Sequence, residues 1–192
     1  MPHQLILGGQ KSGKSREAER RATRWAAGAP GREAVLVATA LALDDEMRAR
    51  IARHRAERPA ALDTVEAPRA LAAAIRARSA PHRLLVVDCL TLWLVNWLMP
   101  ADGVPAEDWP AERTALLAAL QAAPGPVVMV SNEIGWGVIP LGREVRRFVD
   151  ELGRLHQDVA ARCADLTLMV AGQAWRHPVR SAGQEGSGEG AA

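Results

Sequence analysis

The chain has 192 residues, of which 48% are hydrophobic, and this length and composition suit one folded domain with a sizeable core. Its formal net charge of +2, without a long block of one sign, argues against a dedicated nucleic-acid binder. The most apolar span, residues 84–99, is interrupted by polar side chains and is too short to cross a bilayer, and the N-terminus lacks the pattern of a signal peptide.

Short apolar runs alternate with helical periodicity along the chain. The runs that predict strands are 4–7, 35–38, 84–88, 127–131 and 166–170. Helices are predicted near 14–27, 44–57, 68–79, 89–99, 107–122 and 142–163. Because the strand runs are apolar throughout, they fit an α/β fold in which helices cover both faces of a mostly parallel sheet. We expect one catalytic domain over residues 1–180 and a disordered, Gly/Ser-rich tail over residues 181–192.

The two cysteines, Cys89 and Cys163, lie in apolar segments without metal-ligand spacing. This placement predicts free, buried thiols in a reducing compartment. Since neither a signal peptide nor a membrane span is predicted, we expect a cytoplasmic protein.

The first predicted strand is followed by "GGQKSGKS", which matches the P-loop pattern. Glycines are needed there because backbone N–H groups must wrap closely around phosphate oxygens, and the N-terminus of the next helix adds partial positive charge. We expect Lys14 to bridge the outer phosphates and the Ser15 hydroxyl to bind Mg²⁺. The predicted nucleotide-binding residues of this loop are Gly8, Gly9, Gln10, Lys11, Ser12, Gly13, Lys14 and Ser15. The alternative is a chance glycine-rich turn.

Only two of the 24 basic residues are lysines, and both, Lys11 and Lys14, lie in this loop. In a chain that otherwise uses arginine, this indicates that at least one of them does something that arginine cannot.

Asp88 ends the predicted strand "LLVVD". A P-loop site needs a second carboxylate on the metal side, at the end of a neighbouring strand, and Asp88 is the candidate. An aspartate in this position could instead cap the helix that follows.

Five segments then occur in an order that resembles a known family: "GGQKSGKS", "ATALALDDEMRARIARHRAERP", "DCLTLWLVN", "SNEIGWGVIP" and "RRFVDELGRLHQ". From about residue 4 to residue 172 they resemble the bifunctional adenosylcobinamide kinase / adenosylcobinamide-phosphate guanylyltransferase family. The resemblance implies a RecA-like fold, usually a homotrimer, with Mg²⁺ and with ATP and GTP as substrates. It also implies two reactions, phosphorylation of the aminopropanol hydroxyl of adenosylcobinamide and transfer of GMP from GTP onto that phosphate.

The segment "RIARHRAERP" places His54 on a predicted helix that ends before Pro59. The family's guanylylated histidine lies on the helix after "DDEM", so the resemblance implies that His54 is the nucleophile. Arg50 and Arg58, one turn to either side, are expected to bind the α-phosphate and to disfavour protonation of the imidazole, and Glu57 could orient the ring. Judged by spacing alone, a surface histidine on a basic helix is the simpler interpretation of His54.

Two residues beyond these have no firm role. His156 stands where the family usually has asparagine, and it is a second histidine to exclude as the nucleophile. Glu133 follows the fourth apolar run, where active-site loops of α/β sheets lie, so we expect it to contact nucleotide or substrate. An ordinary glycine-rich turn would also explain this segment.

Two other functions stay open. The first is a monofunctional P-loop kinase of a small metabolite, in which His54 is incidental. The second is a RecA-like nucleotide-dependent regulator or DNA-associated ATPase, although the sequence shows no basic stripe interleaved with aromatic residues.

Overall fold

A computed structural model of the chain describes residues 2–42, 44–46, 48, 49, 52, 62–100 and 108–179. The strands are β1 (Gln4–Gly8), β2 (Glu33–Ala38), β3 (Asp63–Glu66), β4 (Arg83–Asp88), β5 (Val127–Asn132), β6 (Asp165–Val170) and β7 (Gln173–Pro178). The helices are α1 (Lys14–Ala27), α2 (Leu71–Arg78), α3 (Leu90–Leu98), α4 (Trp109–Ala122) and α5 (Arg143–Ala160).

The strands form one sheet in the order β3-β2-β4-β5-β1-β6-β7. All neighbouring pairs are parallel except β6 and β7, which are antiparallel at one edge. The expected mostly parallel α/β sheet is therefore confirmed. Strand β5 lies between β1, which leads into the P-loop, and β4, which ends at Asp88, so the carboxyl ends of these three strands lie side by side.

The apolar runs are apolar throughout because consecutive residues of a strand face opposite sides of the sheet and both sides are covered. On one face, side chains such as Ile6 and Val86 pack against Ala18 and Trp25 of α1. On the other face, their strand neighbours pack against α2, α3, α4 and α5, in a cluster that includes Leu5, Val87, Trp93, Leu120 and Leu155. The core thus consists of two apolar layers separated by the sheet.

Two strands were missing from the prediction. Strand β3 is mostly exposed and β7 is exposed along its whole length, and both are edge strands of the sheet. A search for buried apolar runs does not find such strands, because their side chains face solvent and their pairing depends on a partner elsewhere in the chain.

Of the predicted helix 44–57, the structure describes only residues 44–46, 48, 49 and 52. The N–H of Arg48 donates to the Asp44 carbonyl at 2.9 Å, as in a first helical turn. The proposed tail, 181–192, lies outside the described residues.

Both cysteines are free and buried, as predicted. Burial and the charge of Asp88 raise the pKa of the Cys89 thiol to about 12, and burial and Asp165 do the same for Cys163. Within the described part of the chain, no helix is long and apolar enough to span a membrane.

Candidate active site

The P-loop joins β1 directly to α1 and depends on two of its glycines. A Cβ atom on Gly8, at φ +155°, would lie 2.4 Å from the carbonyl oxygen of Met169 on the neighbouring strand. Gly13, at φ 100°, is the N-cap of α1 in the left-handed region that a side chain disfavours. The loop can therefore turn sharply and still present the N-terminus of α1 to a ligand.

Lys14 lies inside the loop, with its side chain across it. Its Nζ atom donates to the carbonyl oxygen of Gly9 at 2.6 Å and lies 3.5 Å from Oγ of Ser12. The residue is 7% exposed, whereas Lys11 is exposed. A compact ammonium group fits this enclosed position better than a planar guanidinium group would. Of the two lysines, Lys14 is therefore the one that the loop holds in place.

The hairpin between β6 and β7 supports the loop from outside. Its two turn residues, Ala171 and Gly172, both have positive φ, at 49° and 78°, as in the tight turns that suit strand twist. The N–H of Gly172 donates to the Ser12 carbonyl at 3.0 Å. The antiparallel edge strand that the sequence did not reveal thus helps to position the phosphate loop.

Asp88, the last residue of β4, contacts the end of the P-loop through its side chain. Oγ of Ser15 donates to Oδ1 of Asp88 at 3.3 Å. The alternative role, a cap for the following helix, is wrong, because the N-cap of α3 is Cys89, whose Sγ accepts from the N–H of Leu92 at 3.5 Å. The carboxylate of Asp88 therefore faces the first turn of α1.

Thr39, which follows β2, fixes the segment that carries Asp88. Its N–H donates to the Asp88 carbonyl at 3.1 Å, and its Oγ1 donates to the Cys89 carbonyl at 2.7 Å. The same hydroxyl accepts from the N–H of Cys89 at 2.8 Å. Because Thr39 is fully buried, these bonds hold the end of β4 in one position.

The Ser15–Asp88 pair fits a magnesium ion. A hydroxyl and a carboxylate are hard oxygen donors, and Mg²⁺ commonly takes one or two such protein ligands and completes its shell with phosphate oxygens and water. Among the described residues no group of three or more His, Cys, Asp or Glu side chains could hold a metal by itself. With only two protein oxygens, the pair suits an ion whose remaining ligands are phosphate oxygens and water.

Glu133 extends from the end of β5, next to the P-loop. Its N–H donates to the Gly8 carbonyl at 3.0 Å, and its Oε1 accepts from the N–H of Gly135 at 2.8 Å. Its Oε2 lies 3.7 Å from Nδ1 of His156. Glu133 therefore lies next to Gly8, and its contact with nucleotide or substrate stays a prediction.

His156 belongs to a buried network of polar side chains at the carboxyl end of β5. Its Nε2 lies 2.7 Å from Oγ of Ser131, which lies 3.0 Å from Oγ1 of Thr91. Thr91 also accepts from the N–H of Asn132 at 2.7 Å. Burial lowers the pKa of His156 below its ordinary value of 6.5, and the nearby charge of Glu133 opposes that shift without reversing it.

The structure therefore brings together the P-loop, Asp88 and Glu133. The residues of the predicted guanylylation helix, Arg50, His54, Glu57 and Arg58, lie outside the described residues, and their roles stay predictions.

Sequence reasoning missed Thr39, Thr91 and Ser131. A signal existed for the last two, since each is a hydroxyl residue within an otherwise apolar stretch, "CLTLWL" and "VVMVS". A buried polar side chain in such a stretch needs a partner, and functional networks are one source of partners.

The segment after Glu133 exposes large apolar side chains. Trp136 is 73% exposed, Val138 is 96% exposed and Leu141 is 97% exposed, and Ile139 lies among them. Clustered exposed apolar side chains of this size mark binding surfaces more often than isolated ones do.

A glycine loop between strand and helix, an enclosed lysine and a serine–aspartate pair at the end of a nearby strand together define a P-loop nucleotide-binding protein. The chain belongs to the family described as cobinamide kinase / cobinamide phosphate guanyltransferase, which matches residues 4–176.

Three curated relatives agree with this assignment. The chain is 51% identical over 168 residues to the bifunctional adenosylcobalamin biosynthesis protein CobP of Pseudomonas aeruginosa, covering 88% of this chain and 92% of the relative. It is 36% identical to the bifunctional protein CobU of Escherichia coli and 38% identical to that of Salmonella typhimurium, each over 178 residues, 88% of this chain and 95% of the relative. All three are named bifunctional, which favours two activities over a monofunctional kinase or a nucleotide-dependent regulator.

Proposed function

We propose that this protein phosphorylates adenosylcobinamide and then transfers GMP from GTP to the product, giving adenosylcobinamide-GDP. The observation that carries the proposal is the contact between Ser15 and Asp88 beside the P-loop, in a chain of the cobinamide kinase and guanyltransferase family. The contact brings together oxygen donors from two distant parts of the chain, which supports a phosphate and metal site there, and the family supplies the substrate class.

In the kinase step, the loop backbone and the N-terminus of α1 bind the phosphates, and Lys14 neutralises charge on the outer ones. Ser15 and Asp88 would hold Mg²⁺, which supplies charge neutralisation for the phosphates when it is bound. The target hydroxyl attacks the terminal phosphorus directly, so this step needs no nucleophile from the protein.

In the guanylyl step, His54 attacks the α-phosphorus of GTP, pyrophosphate leaves, and a histidine–GMP phosphoramidate forms. The phosphate of the corrinoid then displaces the histidine and takes the GMP. Arg50 and Arg58 would bind the α-phosphate and stabilise the charge that develops on the leaving group. The support for His54 is its place on the predicted helix after the "DDEM" run, together with the buried position of His156, the competing histidine.

We further propose that the protein is a homotrimer in the cytoplasm. The exposed apolar segment Trp136, Val138, Ile139 and Leu141 supports an oligomer, because a surface of this kind is stabilised by contact with another subunit. The free thiol state of both cysteines supports a reducing compartment. Sedimentation of the purified protein should give three times the chain mass of 20.6 kDa, and a purely monomeric sample would contradict the trimer.

The decisive experiment for the two activities uses purified protein with adenosylcobinamide, Mg²⁺ and labelled nucleotides. With γ-labelled ATP or GTP, the label should move to adenosylcobinamide. With α-labelled GTP and no corrinoid, the label should remain on denatured protein. Transfer of the γ-label without any labelled protein would support a monofunctional kinase instead.

A further inference from the structure

We infer that Glu133 is a catalytic residue of the kinase step, the base that accepts the proton of the attacking hydroxyl. We infer also that His156, Ser131 and Thr91 position its carboxylate. This inference rests on the proposed kinase activity and assigns a role in it to residues outside the P-loop and the metal pair.

The position of Glu133 in the sheet places it between the two halves of the phosphate site. Strand β5 lies between β1 and β4, with Asn132 paired to Gly8 and Val130 paired to Asp88. Glu133 directly follows β5, and its N–H donates to the Gly8 carbonyl at 3.0 Å. Glu133 therefore leaves the sheet at the carboxyl ends of the strands, between the strand that enters the P-loop and the strand that ends at Asp88.

The Glu133 carboxylate is fixed by a hydrogen bond and still has acceptor positions available for a substrate. Oε1 accepts from the N–H of Gly135 at 2.8 Å, and a Cβ atom on Gly135 would approach that oxygen to 3.1 Å, so the following turn closes tightly around it. The Glu133 side chain is 19% exposed. Because a carboxylate has about four acceptor positions, it keeps lone pairs for a substrate proton.

A buried network of polar side chains, Thr91, Ser131 and His156, explains the orientation of the Glu133 carboxylate. A neutral imidazole has one N–H, and a carboxylate can only accept, whereas the Ser131 hydroxyl can donate. We therefore assign the N–H of His156 to Nδ1, facing Glu133, and the acceptor Nε2 to Ser131. The Nε2–Ser131 bond then has a donor and an acceptor, and the serine is held in turn by Thr91. The Nδ1–H faces Oε2 of Glu133 at 3.7 Å, which is beyond direct hydrogen-bond distance, so its effect on the carboxylate is electrostatic.

Thr91 also satisfies the backbone N–H of Asn132, whereas the hydrogen bonds of the Ser131 and His156 side chains lie within the polar network that leads to Glu133. Thr91, Ser131 and His156 are each less than 9% exposed and lie beside the large apolar layer of the sheet. Burying three polar side chains stabilises a fold no more than well-packed apolar ones, but it does fix the direction of a neighbouring functional group. The polar network leads to the carboxylate of Glu133, the residue whose backbone N–H bonds to the P-loop glycine Gly8.

The phosphoryl transfer is an in-line displacement at the γ-phosphorus. The hydroxyl proton passes to the Glu133 carboxylate while the hydroxyl oxygen forms a bond to the γ-phosphorus. The bond from that phosphorus to the β–γ bridging oxygen breaks, and its electron pair leaves with the nucleoside diphosphate. Glu133 then releases the proton to solvent.

The test compares Glu133→Gln, Glu133→Asp and His156→Gln with the wild type and with Glu144→Gln, an exposed glutamate at the start of α5. Glutamine keeps the size and the bond to Gly135 but not the basicity. We expect kcat for adenosylcobinamide phosphorylation to fall at least about 100-fold in Glu133→Gln, the contribution typical of a positioned base. KM for the corrinoid, the Kd of MgATP and labelling by α-labelled GTP should change little, and Glu133→Asp should recover part of kcat.

For His156→Gln we expect a smaller loss of kcat, about tenfold, again without a change in KM, because the base is present but less well oriented. If His156→Gln has a lower melting temperature but wild-type kcat in its folded fraction, the network of Thr91, Ser131 and His156 is only structural. Wild-type kcat in Glu133→Gln, or a loss that follows a weakened Kd for MgATP, would overturn the assignment of the base. Absence of phosphorylation by the wild type itself would instead overturn the proposed kinase activity, and this inference with it.

Discussion

Oγ of Ser15 and Oδ1 of Asp88 lie 3.3 Å apart although 73 residues separate them in the chain. Ser15 lies in the first turn of the P-loop helix α1, and Asp88 ends β4, which lies two positions from β1 in the sheet. Their contact creates a pair of hard oxygen donors where the phosphates of a nucleotide would lie, which neither segment provides by itself.

Replacing Asp88 with asparagine should reduce kinase activity at least about 100-fold with little change in melting temperature. Asparagine keeps the size of the side chain but removes its charge, and the cap of α3 is unaffected because Cys89 supplies it. Initial rates and thermal unfolding of Asp88→Asn would be compared with those of Asp63→Asn, an exposed aspartate at the start of β3. A variant that unfolds more easily but is fully active when folded would contradict the metal role.

Replacing Lys14 with alanine should abolish phosphorylation and leave the fold intact. Its ammonium group lies within the loop, 2.6 Å from the Gly9 carbonyl, in the position from which it can reach the outer phosphates. The matched control is Lys11→Ala, which removes the other lysine of the same loop from an exposed position. Kinase rates and nucleotide Kd would be measured for both, and similar losses in the two variants would show that loop charge in general, not Lys14, is responsible.

Replacing His54 with alanine should abolish covalent labelling by α-labelled GTP and GMP transfer while kinase activity remains. Phosphorylation of an alcohol at a P-loop needs no protein nucleophile, whereas a covalent intermediate does. His156→Gln serves as the matched histidine variant and should retain the label. The label should be lost in acid and remain in alkali, as a phosphoramidate does. Labelled His54→Ala beside unlabelled His156→Gln would identify the other histidine as the nucleophile.

The buried His156 should make the free energy of unfolding depend on pH. Its pKa in the folded protein is lowered below 6.5, so in the range between the folded and the ordinary value the unfolded chain binds more protons. Stability should therefore fall as the pH falls below about 6.5, by at most about 1.4 kcal/mol per pH unit for this one group. Denaturant unfolding from pH 7.5 to 5 would show a steeper loss in the wild type than in His156→Gln. Parallel curves would mean that the pKa of His156 is the same in both states.

The sequence predicted most of the fold because its strongest features are local. The buried strands are short apolar runs, the helices follow a 3.6-residue period, and the P-loop is a contiguous stretch of eight residues. Strands β3 and β7 were missed for the complementary reason. Their side chains face solvent, so only hydrogen bonds to β2 and β6 make them strands.

The candidate site also has features that local sequence encodes and features that depend on distant partners. The sequence by itself determined the family and the position of the phosphate loop, and it singled out the two lysines of that loop, since each depends on residues that are adjacent or in fixed order. Only the tertiary structure decided that Asp88 faces Ser15 rather than capping a helix, and that Glu133 lies beside Gly8 with His156 behind it. These contacts join strands and helices that are far apart in the chain, and they arise from the strand order of the sheet, which local residue patterns do not encode.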